Sequence, residues 1–267
     1  MKKTNISALL LAALLLIQLL CAPVSAVTAE PAADAQADAQ TASDNSAEDA
    51  AAEADSVPED QLLSSREQFS VAAKAALLID LNTNRVVYEQ DADERVYPAS
   101  LTKIMTCLIA LENGNLSDVV TVSESALADL DEDSSVAGLV VGEQMTLENL
   151  LYCMMVVSGN DACNVIAEHV AGSVTDFVRM MNQRAYELGC TNTHFNNPHG
   201  LHDESHYTTA RDLAIITQAA LKSENFRQIV DTYEYKLPDD NMRQNIPKLK
   251  TTNMLIYQSM SNSLYYP

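Results

Sequence analysis

The sequence predicts an α+β fold: a largely helical subdomain joined to an incomplete antiparallel sheet. Three observations lead there. Between residues 100 and 221, apolar side chains recur at i, i+3, i+4 and i+7 in five successive segments, the mark of helices burying one face. Runs of β-formers flank this region, at residues 75–80 and 85–89 before it and from Glu234 to Leu237 after it. Finally, some 200 residues follow a polar amino-terminal stretch, enough for one large domain.

The chain opens Met1-Lys2-Lys3, runs apolar from Ile6 to Leu20, and reaches the small-residue site Val24-Ser25-Ala26. A charged start, a short apolar run and such a site read as a secretory signal peptide over residues 1–26. The run is short of the roughly 20 apolar residues of a membrane span, so membrane association is not evident. Cys21 invites a lipoprotein site, but bulky Leu20 stands where a small residue is expected, which favours cleavage after Ala26. The protein is therefore expected to be exported, to the cell envelope or another extracytoplasmic place.

Residues 27–68 are rich in Ala, Asp, Glu, Gln and Ser and carry eleven acids against one base, Arg66. Such a segment buries too little apolar surface to offset its chain entropy and repels itself, so a disordered linker is expected. It holds about half of the formal net charge of −21. The remainder is still acidic, which excludes nucleic acid and anionic lipid as natural partners. The folded domain is then 69–267.

Within it, the β-runs around Asn82-Thr83-Asn84 predict a hairpin, with Asn84 taking a positive φ. Pro98 suits the first turn of a helix, and Leu101, Ile104, Met105, Leu108 and Ile109 form one apolar stripe up to the stop Asn113-Gly114. A short strand is expected at Val119–Val122, then a polar helical turn and loop. Thr146 is placed to cap a helix through Leu147, Leu150, Leu151, Met154 and Met155. That helix breaks at Val157-Ser158-Gly159-Asn160, and a second starts near Asp161 and stops at Gly172. Ser173 with Asp176 resembles a capping arrangement for a third, burying Phe177, Met180 and Met181. Thr208-Thr209-Ala210-Arg211-Asp212 opens a fourth, and a helical turn and strand follow between Phe226 and Leu237. Cys107, Cys153 and Cys163 sit at apolar helix positions. With Cys190 they are expected to be free buried thiols, since no cysteine spacing fits zinc.

Two motifs carry chemistry. Ser100 and Lys103 lie one helical turn apart, so a hydroxyl can face an amine; held neutral, that amine is a base for the nucleophile. Ser158-Gly159-Asn160 falls in a tight break between apolar helices. Taken alone, its polar side chains would serve to cap the next helix. Together, Ser-x-x-Lys and Ser-x-Asn are two of the three signatures shared by penicillin-binding proteins and class A β-lactamases.

Beyond these motifs the chain resembles the low-molecular-weight D-alanyl-D-alanine carboxypeptidases from about Ala72 onward. The likeness rests on Tyr97-Pro98-Ala99-Ser100-Leu101-Thr102-Lys103-Ile104-Met105-Thr106, Ser158-Gly159-Asn160-Asp161-Ala162, Met181-Asn182 and Leu188-Gly189. It continues through Thr193-His194-Phe195-Asn196-Asn197-Pro198-His199-Gly200-Leu201 and Thr208-Thr209-Ala210-Arg211-Asp212. The resemblance implies a DD-peptidase/β-lactamase-like fold. It implies Ser100 as acyl-ester nucleophile, Lys103 as general base, Ser158 as proton relay and Asn160 as a substrate-binding or lysine-orienting residue. Lys103 would be neutralised by burial and by nearby positive charge, and the Ser100 N–H would form half of an oxyanion hole. The implied partners are peptidoglycan stem peptides ending in D-Ala-D-Ala, with β-lactams as covalent inhibitors and no cofactor. His194, His199, His202, His206 and Asp203 raise a metal site, but their spacing fits no ligand pattern and the resemblance accounts for the segment without metal.

The third signature, Lys-Thr-Gly, is not found. Lys250-Thr251-Thr252 is a degenerate copy that aligns with the segment before that strand. The motif is thus expected beyond Pro267, with an impaired, less stable enzyme if residues 1–267 stand alone. A class A-like β-lactamase is the nearest alternative. Gly159 within Ser-x-Asn, and no recognisable deacylating-glutamate segment, count against it. An inert peptidoglycan-binding protein is the alternative outside enzymes.

Overall fold

In the computed structural model, residues 71–128, 130, 134–254 and 256 are described. The expected signal peptide and linker lie outside them. The first described element is the expected hairpin. β1 (Ala76–Ile79) pairs antiparallel with β2 (Val86–Gln90), Ala76 opposite Gln90 and Ile79 opposite Val86. The turn forms because the Asp80 carboxylate accepts the Asn82 N–H at 2.8 Å and Asn84 sits at φ +59°, a conformation asparagine tolerates.

A single 3₁₀ turn (Ala99–Leu101) leads into α1 (Thr102–Asn113). The apolar stripe predicted a helix lying on a core with one face in water. Instead every residue from Thr102 to Ala110 is buried. The reason is position: five other helices pack around α1. Thr102, Lys103 and Thr106, polar positions that periodicity assigns to solvent, face an interior polar wall. The stop at Gly114 also has an unexpected cause. Its φ is −103°, open to any residue, but a Cβ there would lie 2.4 Å from Leu147 Cδ2.

Around α1 the chain lays β3 (Val119–Thr121), α2 (Glu124–Ala128) and β4 (Gln144–Thr146). β4, which sequence reading missed, pairs with β3. Then come α3 (Leu147–Val156), α4 (Asn160–Ala171) and α5 (Val174–Glu187). The predicted punctuation is present. Thr146 Oγ1 accepts the Asn149 N–H, Ser173 Oγ accepts the Asp176 N–H, and Gly172 closes α4 at φ +80°, where a side chain would be strained. α6 (Ala210–Ala220) is capped by Thr209 and α7 (Glu224–Val230) by Ser223. β5 (Glu234–Tyr235) pairs with β6 (Leu249–Lys250). All described strand pairing is antiparallel and is divided over three two-stranded ladders. Arg211 ties α6 back to the hairpin by pairing with Asp93 and Glu89. Cys107, Cys153, Cys163 and Cys190 are free and buried, and burial pushes the last three up to about 12.

Candidate active site

The start of α1, the turn between α3 and α4, and the loop before α6 converge on Lys103. Its side chain comes from a buried helix and is only 2% exposed. The Nζ donates to Asn160 Oδ1 at 2.7 Å and to the His199 carbonyl at 2.9 Å, and stands 3.3 Å from Ser100 Oγ. Burial drives the Lys103 pKa down, because the charged ammonium loses its hydration. The expected help from nearby positive charge is not what the structure shows. The groups acting on Lys103 are Cys163 and Asp161, and both pull its pKa up. Cys163 does so only as a thiolate, which its own pKa of about 12 makes scarce at neutral pH.

The two acceptors also set direction. A neutral amine has two N–H bonds and one lone pair. With the two N–H bonds given to Asn160 Oδ1 and the His199 carbonyl, the lone pair is left to face Ser100 Oγ. Ser158 Oγ lies 3.1 Å from Ser100 Oγ on the other side. The structure thus brings Ser100, Lys103, Ser158 and Asn160 together. Ser100 is exposed, whereas Lys103 and Asn160 are buried. An exposed hydroxyl thus stands beside a buried amine.

Backbone strain collects at the same place. Among the described non-glycine residues with positive φ are Ala99 at +49° and Ser158 at +61°, conformations that cost L-residues about 1–2 kcal/mol. Gly159 between them and Asn160 has an ordinary φ of −63°. Even so, a Cβ there would lie 2.9 Å from Asp161 Oδ1, 3.0 Å from the Cys153 carbonyl and 3.1 Å from Ala137 Cβ. A larger residue in the middle of this Ser-x-Asn turn would have to push all three aside.

Comparisons with known proteins show the family of the chain. The family model for D-alanyl-D-alanine carboxypeptidase matches residues 62–264. The chain belongs to that family. It is 42% identical over 192 residues to D-alanyl-D-alanine carboxypeptidase DacF of Bacillus subtilis, across 69% of this chain and 47% of that protein. It is 40% identical over 160 residues to DacC of Escherichia coli, across 57% of this chain and 40% of that one. The chain thus spans about half the length, or less, of these curated relatives. Among solved structures, the Streptomyces K15 DD-transpeptidase aligns with a TM-score of 0.65 and 32% identity, over 70% of this chain and 76% of that chain. Penicillin binding protein 5 from Haemophilus influenzae aligns with a TM-score of 0.65 and 34% identity, over 72% and 56%.

The histidine-rich segment of this carboxypeptidase-family chain builds the third side of the site. The Thr106 hydroxyl donates to the Pro198 carbonyl at 2.6 Å, one residue before the carbonyl that receives Lys103. His206 Nδ1 accepts the Asn196 N–H at 3.1 Å, so Nε2 carries the proton and donates to Thr102 Oγ1 at 2.8 Å. His199 Nδ1 likewise accepts the Leu201 N–H at 3.2 Å. His194 Nδ1 bonds the Ser205 carbonyl, and His202 meets the Tyr97 ring edge-on. Each of these rings thus fastens or packs the loop. No group of three or more His, Cys, Asp or Glu among the described residues could hold a metal.

Burial holds His199 down to about 4, helped by the Lys103 ammonium and by His206. Burial does the same to His206, helped by His194 and opposed by Asp203. Protonation would also set an N–H at Nδ1 against a backbone N–H. Both folded pKa values lie below the unfolded 6.5, so the unfolded chain binds more protons between the two. The stabilisation is complete above about pH 6.5 and is lost as pH falls to about 4, on the order of 2–4 kcal/mol for each ring. A fall of about 10 °C or more in melting temperature is expected between pH 6.5 and 4. Ring resonances of His199 and His206 that titrate near 6.5 would contradict it.

Sequence reasoning passed over three participants. The His199 carbonyl is a main-chain atom with no side-chain signal. Gly200, where an added Cβ would stand 1.8 Å from the Ala99 carbonyl oxygen, appears in the sequence only within the family-like stretch of residues 193–201. Asp161 was read only as the start of a helix.

Proposed function

We propose that the full-length protein removes the terminal D-alanine from peptidoglycan stem peptides ending in D-Ala-D-Ala, by a serine acyl-enzyme route. The observation that carries this is the Lys103 amine, fixed by Asn160 Oδ1 and the His199 carbonyl with its remaining position toward Ser100 Oγ. Ser100 Oγ attacks the carbonyl carbon of the penultimate D-alanine while Lys103 takes the hydroxyl proton. The Ser100 N–H stabilises the developing oxyanion. The peptide C–N bond then breaks, and the leaving D-alanine nitrogen receives the proton through Ser158. Water next attacks the ester, gives the shortened peptide as a carboxylate, and returns the proton to Ser100. The same chemistry opens a β-lactam ring, but the cleaved nitrogen stays tethered, so the ester persists. Such a reaction places the enzyme where peptidoglycan is, outside the cytoplasm. Among the described residues no helix is long and apolar enough to cross a membrane.

The test is release of free D-alanine from a synthetic stem pentapeptide by the full-length protein. Stoichiometric release is expected, and its loss in Ser100→Ala. Transfer of the acyl group to an added amine, with no hydrolysis, would instead favour the activity named for the Streptomyces relative. Rapid turnover of penicillin with no D-alanine released would favour a β-lactamase.

A further inference from the structure

Directly after Asn160, Asp161 buries its carboxylate at 2% exposure in the first turn of α4. Lys103 raises the thought of an ion pair, but no hydrogen bond joins the two. The carboxylate is filled by backbone. Oδ1 accepts the N–H of Ala137 at 2.9 Å and of Ala162 at 2.9 Å. Oδ2 accepts the N–H of Gly138 at 2.9 Å and of Leu139 at 3.0 Å. Two residues earlier the same loop closes on the site from the other side, its Ser135 carbonyl accepting the Asn160 N–H at 2.8 Å. The loop is held at its far end too. Glu143 is wholly buried, takes the Val140 N–H and pairs with Arg243, whose other nitrogen reaches the Gly138 carbonyl at 3.0 Å.

Four N–H donors converge on two oxygens, so the position demands an acceptor on both. A carboxylate supplies that and an amide does not. Asparagine would point an NH₂ at two backbone N–H groups. Glutamate would keep the charge but carry it one methylene farther, out of register with the four N–H groups that meet the aspartate oxygens.

We propose that Asp161 is a positioning residue of the site: its carboxylate clamps residues 137–139 onto the start of α4 and thereby holds Asn160 where its side chain meets Lys103. Its anion acts on the same lysine through space. The proposal rests on Ser100 and Lys103 being nucleophile and base. The ionisable groups facing Lys103 are Asp161 and Cys163 on α4 and His199 on the loop. His199 and Cys163 are neutral near pH 7, which leaves Asp161 as the charge that acts on the lysine.

Two measurements test this. In the wild-type full-length protein, amide hydrogen exchange at Ala137, Gly138 and Leu139 is expected to be strongly protected. Exchange at the rate of free loop amides would overturn the clamp without any variant. The pH profile of acylation by a fluorescent β-lactam is the second. Folded Asp161→Glu is expected to lower the plateau rate about tenfold to a hundredfold with the acid limb in place. Asp161→Asn should lower the plateau and also move the acid limb to lower pH, because the lysine has lost its anion. Variants that only melt earlier, while their folded fraction acylates at the wild-type rate with the wild-type limb, would overturn the proposal. A wild-type protein that takes up no β-lactam overturns the roles of Ser100 and Lys103 instead, and the proposal falls with them.

Discussion

Lys103→Ala is expected to slow acylation of Ser100 by about 10²–10⁴-fold, the range that a positioned general base contributes. Among the described residues the amine bonds Ser100 Oγ from the buried side, and burial lowers its pKa toward the neutral form a base needs. Lys103→Arg should fail by a similar factor. A guanidinium stays protonated at any working pH and cannot accept the serine proton, although it could still donate to Asn160 and the His199 carbonyl. The comparison separates base from scaffold. Loss of the buried amine also strands two acceptors, which costs about 1–3 kcal/mol each, so rates are to be taken on protein shown folded by circular dichroism. The wild-type rate should rise with pH through the lysine pKa, and Lys103→Ala should lose that limb. A variant that keeps both rate and limb would remove Lys103 from the chemistry.

Gly200→Ala is expected to be the most damaging single-methyl change near the site. Gly200 has φ +91°, and a Cβ built on it would stand 1.8 Å from the Ala99 carbonyl oxygen and 2.9 Å from Thr102 Oγ1. The left-handed backbone alone costs an L-residue about 1–2 kcal/mol. The overlap is with main chain, so it is relieved only by moving Ala99, next to Ser100, or the carbonyl that receives Lys103. We expect a loss on the order of 3 kcal/mol or more, visible as a fall of about 10 °C in melting temperature. Acylation should fall beyond what the folded fraction accounts for. Wild-type melting and wild-type acylation together would show that the loop and α1 are not coupled through this contact.

These two residues mark the limit of what the sequence discloses. That Ser100, Lys103, Ser158 and Asn160 converge was legible because the two motifs set side chains at fixed spacing. Helix ends were legible for the same reason: Thr146, Ser173 and Thr209 carry local bonds within three residues. The surroundings of α1 were not. Periodicity detects one apolar face and cannot see that Thr102, Lys103 and Thr106 turn toward a polar wall made by residues nearly a hundred positions away. Short β4 and β6, of three and two residues, exist through their partners and have too little pattern of their own. Asp161, Gly159 and Gly200 act by filling or leaving space against backbone, and that requirement appears only once the chain is folded.

The central claim is that Ser100 is the nucleophile served by Lys103. It is met most directly by the intact mass of the full-length protein after exposure to benzylpenicillin, followed by peptide mapping. The account predicts one persistent adduct of a single penicillin, located on the peptide containing Ser100 and absent from Ser100→Ala. An adduct on another residue, or none on folded protein, would contradict it.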